Sequence, residues 1–503
     1  MNIMMLLEMA SSGFGDRVAI GTGDDALTYQ ELFDNAGRAA TRFAESGVDH
    51  VGLIDISSPA LPVVLFGAGW AGVPYVPMNY RLDTGTLLGL AERISPATAV
   101  CHPDQVALAD GIDGISAETR TDFVAGLADA EPYHEAWGMD GEDIAVLLFT
   151  SGTTGEPKAA VLRHKHLVSY ILGSVEFMGA GEDEAILVSV PPYHVAGLAS
   201  LLSSIFAGRR IVQLPQFDAD AWIDLAIAEQ VTNAMVVPTM LSRVVDRLDE
   251  RRLSIPSLRA LSYGGGKMPL PIIERALELL PGTNFVNAYG LTETSSTLAL
   301  LGPDDHRTAL ASDDPEVRAR LGSVGRPLPS VEISIRDDRG NEVPAGGHGE
   351  VWARGEQISG EYVGKGSRLT ADGWFPTNDG GWIDAEGYVF VTGRMDDVII
   401  RGGENISPGE IEDVITSHPA VMDAAAIGVA DQQWGEVIAV VAVPDHGATV
   451  EADVLIDLVR SQLRGSKVPE HVVFRDELPY NETGKLLRRV LRDEYAHLGD
   501  GSS

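Results

Sequence analysis

Cysteine occurs once in the 503 residues, as Cys101. An internal disulfide, a cysteine-based zinc site and a Cys-x-x-Cys redox pair are therefore excluded. Cys101 is expected to be a buried structural thiol. Basic residues are scarce too: 37 Lys and Arg stand against 73 Asp and Glu, for a formal net charge of −36. Such a surface repels nucleic acid and anionic membranes, so neither is an expected partner, and the acidity reads as a solubility feature. No uninterrupted apolar run is long enough to span a bilayer. The segment Met1-Asn2-Ile3-Met4-Met5-Leu6-Leu7-Glu8 lacks the basic flank and apolar core of a signal peptide. A cytosolic (cytoplasmic) location is expected. Internal repeats are absent as well.

What is present is a globular composition, 45% hydrophobic and 22% charged, in a chain too long for one ordinary core. Two or more domains are expected. The most informative stretch is Phe149-Thr150-Ser151-Gly152-Thr153-Thr154-Gly155-Glu156-Pro157-Lys158, which follows the apolar run Ile144-Ala145-Val146-Leu147-Leu148. The run reads as a buried strand. From Thr150 to Lys158 there are two glycines, four hydroxyl side chains and one lysine. Glycine lets the backbone wrap an anion closely. Hydroxyls, free N–H groups and an ammonium can then bind phosphate oxygens. The Walker pattern Gly-x-x-x-x-Gly-Lys-Ser/Thr does not occur here. An ordinary polar loop has the same composition, so this segment does not decide the matter alone.

Six further segments follow in order: Pro192-Tyr193-His194-Val195-Ala196-Gly197-Leu198, Tyr289-Gly290-Leu291-Thr292-Glu293, Gly373-Trp374-Phe375-Pro376-Thr377-Asn378-Asp379, Gly393-Arg394-Met395-Asp396-Asp397, Gly402-Gly403-Glu404-Asn405-Ile406 and Asn481-Glu482-Thr483-Gly484-Lys485. Each is weak alone. As an ordered set they closely resemble the adenylate-forming superfamily of acyl-CoA synthetases, peptide-synthetase adenylation domains and beetle luciferases. The resemblance runs from about residue 16 to about residue 495.

It implies an α/β fold in which residues 1–395 form a large N-terminal adenylation domain of doubly wound sheets plus a small β subdomain. Residues 396–503 would be a mobile α+β C-terminal domain carrying a catalytic lysine and a thiolation loop. It implies an ATP-dependent acid–CoA ligase using Mg2+, with a fatty or aryl acid as substrate and CoA as acceptor. An acyl carrier protein, or another use of the adenylate, is the alternative acceptor chemistry. No carrier or thioesterase segment follows Lys485, so an enzyme that stands alone is expected; a homodimer is one assembly open to it.

The chemistry sets the requirements. A carboxylate is a poor electrophile, and transfer to AMP gives a mixed anhydride that a thiol can attack. In-line displacement at the α-phosphorus needs positioning and charge neutralisation. By resemblance, Thr150, Ser151, Gly152, Thr153, Thr154, Gly155 and Lys158 hold the β- and γ-phosphates. Gly265 joins the nucleotide site, Tyr289 stacks on adenine and Thr292 contacts the α-phosphate. Glu293, with Thr150, suits Mg2+, which favours carboxylate and phosphate oxygens. Asp379 takes the ribose hydroxyls and Arg394 the ribose and phosphates. Lys485 bridges carboxylate and α-phosphate. His194 is counted with the catalytic group, Asp396 matches the hinge, and Gly402 and Gly403 match the thiol tunnel.

The acyl pocket is expected from 194–200, 236–239, 264–268 and 290–296, with Val237, Gly264, Lys267 and Gly290 among its lining. Its Val, Leu, Gly and Met content favours an apolar acid. Peptide-synthetase domains place Asp where this chain has His194, so an α-amino acid is not expected. Two departures stand out. Asn378 replaces the usual Gly of Thr-Gly-Asp; Asn tolerates unusual φ/ψ nearly as well. Lys267 stands where a small or acidic residue is usual, and either meets a polar substrate group or snorkels outward.

Elsewhere the pattern alternates. Thr28 to Leu32 reads as a capping box with Glu31 three residues on. Strands are expected at 17–20, 51–56, 185–190, 210–214, 234–238 and 260–263, between helices, as in a doubly wound sheet whose ligands gather at the carboxyl ends of strands. Strands at 331–335 and 349–353 suggest the small β unit. Beyond Asp396, helices near 407 and 451 and strands at 424–429 and 437–443 suggest the α+β unit. The tail past Leu498 is expected to be disordered. Gly67-Ala68-Gly69-Trp70-Ala71-Gly72 fits a dinucleotide fingerprint with Glu92 downstream. Gly72, however, sits as if ending a helix.

Overall fold

The computed structural model describes residues 1–150, 157–445, 447–481 and 485–499. Ser151, Gly152, Thr153, Thr154 and Gly155 of the expected phosphate loop, and the last residues of the tail, lie outside the described residues. Among the described residues, four sheets organise the chain. The centre of the first is parallel and runs Arg210–Gln213, Ala185–Val188, Asn233–Val236, Ala260–Gly264, Asn284–Leu291. The second is parallel through Ile115–Thr119, Ala97–Cys101, His50–Ile54, Tyr75–Pro77 and Ile144–Thr150, and then turns antiparallel at Lys158–Arg163. Parallel strands buried by helices on both faces read as continuous apolar runs, which is how Ile144 to Leu148 announced itself. A third, antiparallel sheet pairs Glu332–Arg336, Gly349–Arg354, Phe375–Ile383 and Val389–Arg394.

One core joins the first two sheets. It is filled by helices that include Tyr29–Ser46, Ala60–Ala71 and Val195–Ala207. The first of these begins with the capping box: Glu31 N donates to Thr28 Oγ1 at 3.2 Å and Thr28 N to Glu31 Oε2 at 2.8 Å. The dinucleotide-like glycines belong to the second helix, which ends at Gly72 with φ 72°. A Cβ on Gly67 would stand 2.6 Å from Ala39 Cβ, so this glycine lets two helices touch and does not cradle a cofactor. Gly67→Ala should overpack this contact, destabilise by about 1–3 kcal/mol and lower the first thermal transition. An unchanged melting curve would contradict the packing role.

Residues from Ile399 onward build a separate α+β unit. Its sheet is Glu404–Ile406, Ile399–Arg401, Gly435–Pro444 and Val421–Asp431, with His471–Phe474 parallel to Gly435–Pro444. Alternation decides its two faces. Ala424, Ala426, Ile438 and Val440 pack against the helices Pro408–Thr416 and Ala452–Gln462, whereas Ala425, Ile427, Ala439 and Val441 pack with Leu478 and Leu491. Cys101 is fully buried, as expected of a structural thiol. Among the described residues, no helix is long and apolar enough to cross a membrane.

Candidate active site

Four adjacent strand ends of the first sheet deliver the expected acyl-pocket segments to one place. After Ala185–Val188 the chain reaches His194 and the helix Val195–Ala207. After Asn233–Val236 it reaches Val237 and the helix Pro238–Arg251. Ala260–Gly264 and Asn284–Leu291 end beside them. Ligands of doubly wound sheets gather at such ends. Close backbone packing explains two glycines. A Cβ would stand 2.3 Å from Ala288 O at Gly264 and 1.8 Å from Ser296 O at Gly290. Gly265 follows with φ 83°. Val237 is buried.

His194 caps its helix: Ala196 N donates to its Nδ1 at 3.3 Å. Removal from water pushes its pKa down to about 4. The ring is therefore neutral at pH 7, with its proton on Nε2, and it presents a hydrogen-bond donor there. Lys267 does not turn into the pocket. Its ammonium pairs with Asp413 and donates to Gly409 O at 3.4 Å, both in or at the start of helix Pro408–Thr416 of the C-terminal unit. The pocket-lining reading of Lys267 is thus corrected in favour of an outward-reaching side chain, with a carboxylate to meet it.

The phosphate strap and the acidic tip meet through the edge of the second sheet. Thr150 ends one strand and Lys158 starts the next; they are register partners, and Thr150 Oγ1 donates to Lys158 O at 3.3 Å. Across the next pairing, Tyr362 lies opposite Ala160. The Lys158 ammonium stands 5.8 Å from the centroid of the Tyr362 ring. The Tyr362 hydroxyl donates to Glu293 Oε1. The backbone of Glu293 is held as well: Ser359 N and Gly360 N donate to its carbonyl at 2.9 and 3.1 Å. Thr292, Glu293 and Thr294 form a 3₁₀ turn followed by Ser295 and Ser296 at φ 54° and 104°. Non-glycine residues at positive φ are strained, and such strain is kept where the surroundings fix it. Gln357 does part of this, its Nε2 donating to Thr294 O at 3.1 Å and Thr297 O at 2.7 Å.

The nucleoside end is built on the third sheet. Asp379 and Arg394 are register partners on neighbouring strands. Arg394 Nη1 donates to Asp379 Oδ1 at 3.0 Å, and Tyr289 OH donates to Asp379 Oδ2 at 2.6 Å. Each carboxylate oxygen keeps a second lone pair for a diol. Burial tends to depress the Arg394 pKa, but the Asp379 carboxylate outweighs it and the guanidinium stays charged. Tyr289 is half-buried and packs beside Leu298, Ile358 and Phe375.

Lys485 closes the arrangement from the C-terminal unit. Burial and then the charge of Arg394 lower its pKa, while Asp397, Asp379 and Glu293 oppose them. The ammonium thus shares one electrostatic field with the groups named for ribose and metal. Lys485 N donates to Asn481 Oδ1 at 2.8 Å, and Tyr480 OH donates to the half-buried Asp423 at 2.8 Å. Asp396 is exposed in the 3₁₀ turn Met395–Asp397. Gly402 and Gly403, at φ 59° and 84°, form the two-residue turn of the hairpin between Ile399–Arg401 and Glu404–Ile406. That turn rests on its own unit, with Gly402 N donating to Trp434 O at 2.7 Å.

Tyr362, Gln357 and Ser359 escaped sequence reasoning. A single tyrosine in Glu361-Tyr362-Val363 carries no local signal, and only the sheet pairing brings it to Glu293. The donor set fits Mg2+. Among the described residues, no group of three His, Cys, Asp or Glu could hold a metal unaided. An ion here would need the oxygens of Glu293 and Thr150 together with those of a polyphosphate, which is the habit of Mg2+.

Known proteins resemble this chain along most of its length. Residues 7–363 match the model of the AMP-binding enzyme family, and residues 410–485 that of the AMP-binding enzyme C-terminal domain. A feruloyl-CoA synthase of Amycolatopsis sp is 33% identical over 488 residues, covering 95% of this chain and 96% of that protein. ATP-bound MatB from Rhodopseudomonas palustris superposes with a TM-score of 0.87 at 30% identity, covering 99% of this chain and all of the other. The o-succinylbenzoate CoA synthetase MenE from Bacillus subtilis, in complex with its acyl-adenylate intermediate, gives 0.82 at 29% identity, covering 97% and 98% of the two chains. With its sequence matched along both parts and its fold shared with the solved structures, the chain belongs to the AMP-binding enzyme family.

Proposed function

We propose that the protein is an ATP- and Mg2+-dependent acid–CoA ligase for a fatty or aryl carboxylic acid. Residues 1–395 act as the adenylation domain and 396–503 as a lid that pivots at Asp396. The observation that carries this reading is Asp379 bound by Arg394 and Tyr289, and Glu293 bound by Tyr362, with the charges of Arg394, Asp379 and Glu293 acting on Lys485. A lysine from a separate unit is useful there only if charge develops between a carboxylate and a phosphate. The likeness to a feruloyl-CoA synthase supports an aryl acid.

In the first step a carboxylate oxygen attacks the α-phosphorus. The bond to the β-phosphate oxygen breaks, and pyrophosphate leaves with the electron pair. Lys158, Thr150 and Thr292 hold the phosphates, and Lys485 neutralises the charge that grows between acid and α-phosphate. Asp379 and Arg394 fix the ribose, with Tyr289 holding Asp379 and facing the base. Glu293 and Thr150 would hold Mg2+, which supplies charge neutralisation on the polyphosphate. Neutral His194 donates from Nε2 and takes no proton. In the second step the lid turns the Gly402-Gly403 hairpin toward the site. The CoA sulfur attacks the carbonyl carbon, its proton passes to solvent, and AMP leaves.

Pyrophosphate release across a panel of fatty and aryl acids, with and without CoA, tests the reading. We expect an acid-dependent thioester only with ATP, Mg2+ and CoA together. Pyrophosphate release with no CoA thioester from any acid would overturn it. Glu293→Gln tests the metal assignment. The amide should raise the Mg2+ concentration for half-maximal rate about tenfold and slow adenylation by about 10–100-fold, with an unchanged melting curve. A wild-type Mg2+ titration would place the metal elsewhere.

A further inference from the structure

Lys267 and Asn378 are among the side chains that tie the C-terminal unit to the rest of the molecule, as is Ser407, whose Oγ donates to Thr392 O at 3.1 Å. Lys267 lies in the loop after Ala260–Gly264. It pairs with Asp413 and donates to Gly409 O, reaching the first helix of the C-terminal unit. Asn378 sits in the left-handed region at φ 64° on the strand that carries Asp379. Its N–H donates to Glu350 Oε1 at 2.8 Å, and its Nδ2 donates to Asp396 Oδ2 at 2.7 Å. Glycine would meet that φ with less strain but would offer no amide. An asparagine there accepts a conformational cost and gains a contact to the pivot.

Resting on the ligase reading above, we infer that Lys267 and Asn378 are positioning residues forming a two-point latch. The latch holds the lid in the adenylation pose, and its release controls transfer to the thiol. The geometry requires this of Lys267. Asp413 and Gly409 move with the lid, Lys267 does not, and any rotation about Asp396 that exchanges Lys485 for Gly402-Gly403 must part them. The latch is a bias, not a lock. The side chains of Lys267 and Asp413 are 45% and 62% exposed, and exposed ion pairs are weak. A weak differential contact shifts a two-state population several-fold.

The test uses Lys267→Met, Asn378→Gly and their combination in the full chain. Adenylation is read as acid-dependent pyrophosphate exchange, and transfer as thioester formation from preformed acyl-adenylate plus CoA. The double variant should lose about threefold to tenfold in exchange and gain a similar factor in transfer. The charge swap Lys267→Asp with Asp413→Lys should restore the wild-type ratio. Pose is read separately by dyes on Met139→Cys and Val454→Cys, which are 56% and 47% exposed, because buried Cys101 leaves no competing thiol on the surface. The double variant should populate a second distance more than wild type does. An unchanged distance distribution, or half-reactions that stay within about twofold or fall together, overturns the latch. If the distance shifts but no thioester forms with any acid, the latch stands and the ligase reading fails.

Discussion

Lys485→Ala should abolish acid-dependent pyrophosphate exchange, by about 10²–10³-fold or more, and leave thioester formation from preformed acyl-adenylate within about threefold of wild type. The reason is positional. The charges of Arg394, Asp379 and Glu293 all act on the ammonium, and the attacking carboxylate and the α-phosphate would bring further negative charge there. Once the anhydride exists that charge has been redistributed, and the lysine has nothing further to neutralise. Truncation at Cβ does not threaten the fold. The backbone N–H of Lys485 still donates to Asn481, and its neighbour Arg488 stays anchored on buried Glu412 at 2.6 Å. Equal loss in both half-reactions would sink the assignment, because it would mean that Lys485 supports the site and not one step of it.

The complementary result is expected from Asp396→Pro. Adenylation should persist, and transfer to CoA should fall by about 10²-fold or more, the scale reached when a catalytic arrangement cannot form. Asp396 occupies the 3₁₀ turn Met395–Asp397, where φ near −60° is ordinary. Proline fixes φ at that value, so the pose with Lys485 at the site is retained and rotation out of it is blocked. Proline also removes the carboxylate that Asn378 holds. Loss of the latch alone would speed transfer, so slower transfer isolates the pivot from the latch. If both half-reactions stay near wild type in a well-folded sample, residue 396 is not where the chain turns.

Much of the site was legible because its residues sit in short segments whose chemistry is local. Asp379 and Arg394 belong to two motifs only 15 residues apart, and a simple antiparallel pairing brings them into register. Strand ends such as Gly264 and Gly290 were legible as glycines because close backbone approach leaves no room for Cβ. The residues that sequence left open or passed over depend on distant pairings. Lys267 meets Gly409, 142 positions on, and a long cation gives no hint in sequence of whether it faces a pocket or a neighbouring unit. Tyr362 reaches Glu293 only because Glu361–Tyr362 adds to the sheet edge beside Lys158–Arg163. The fingerprint at Gly67 shows the converse. A glycine pattern that suits a phosphate turn equally suits two helices in contact, and only helix polarity distinguishes them.

The edge pairing also governs how the molecule can be made. Arg163 is bound to Glu361 across 198 positions, and Tyr362 to Glu293 across 69. During synthesis the strand Lys158–Arg163 therefore emerges with one side of its hydrogen-bonding ladder unmatched, and it waits for about two hundred more residues before Glu361–Tyr362 arrives to cover it. Contacts this remote in sequence form slowly, and an uncovered strand edge invites association with other chains. The strap and its acid thus become joined only after most of the polypeptide has left the ribosome. Interrupted translation short of Tyr362 leaves a sticky intermediate and not a partial enzyme. Slower elongation between residues 163 and 361 prolongs that exposure, so folding yield in cells should depend on the pace of synthesis across this interval.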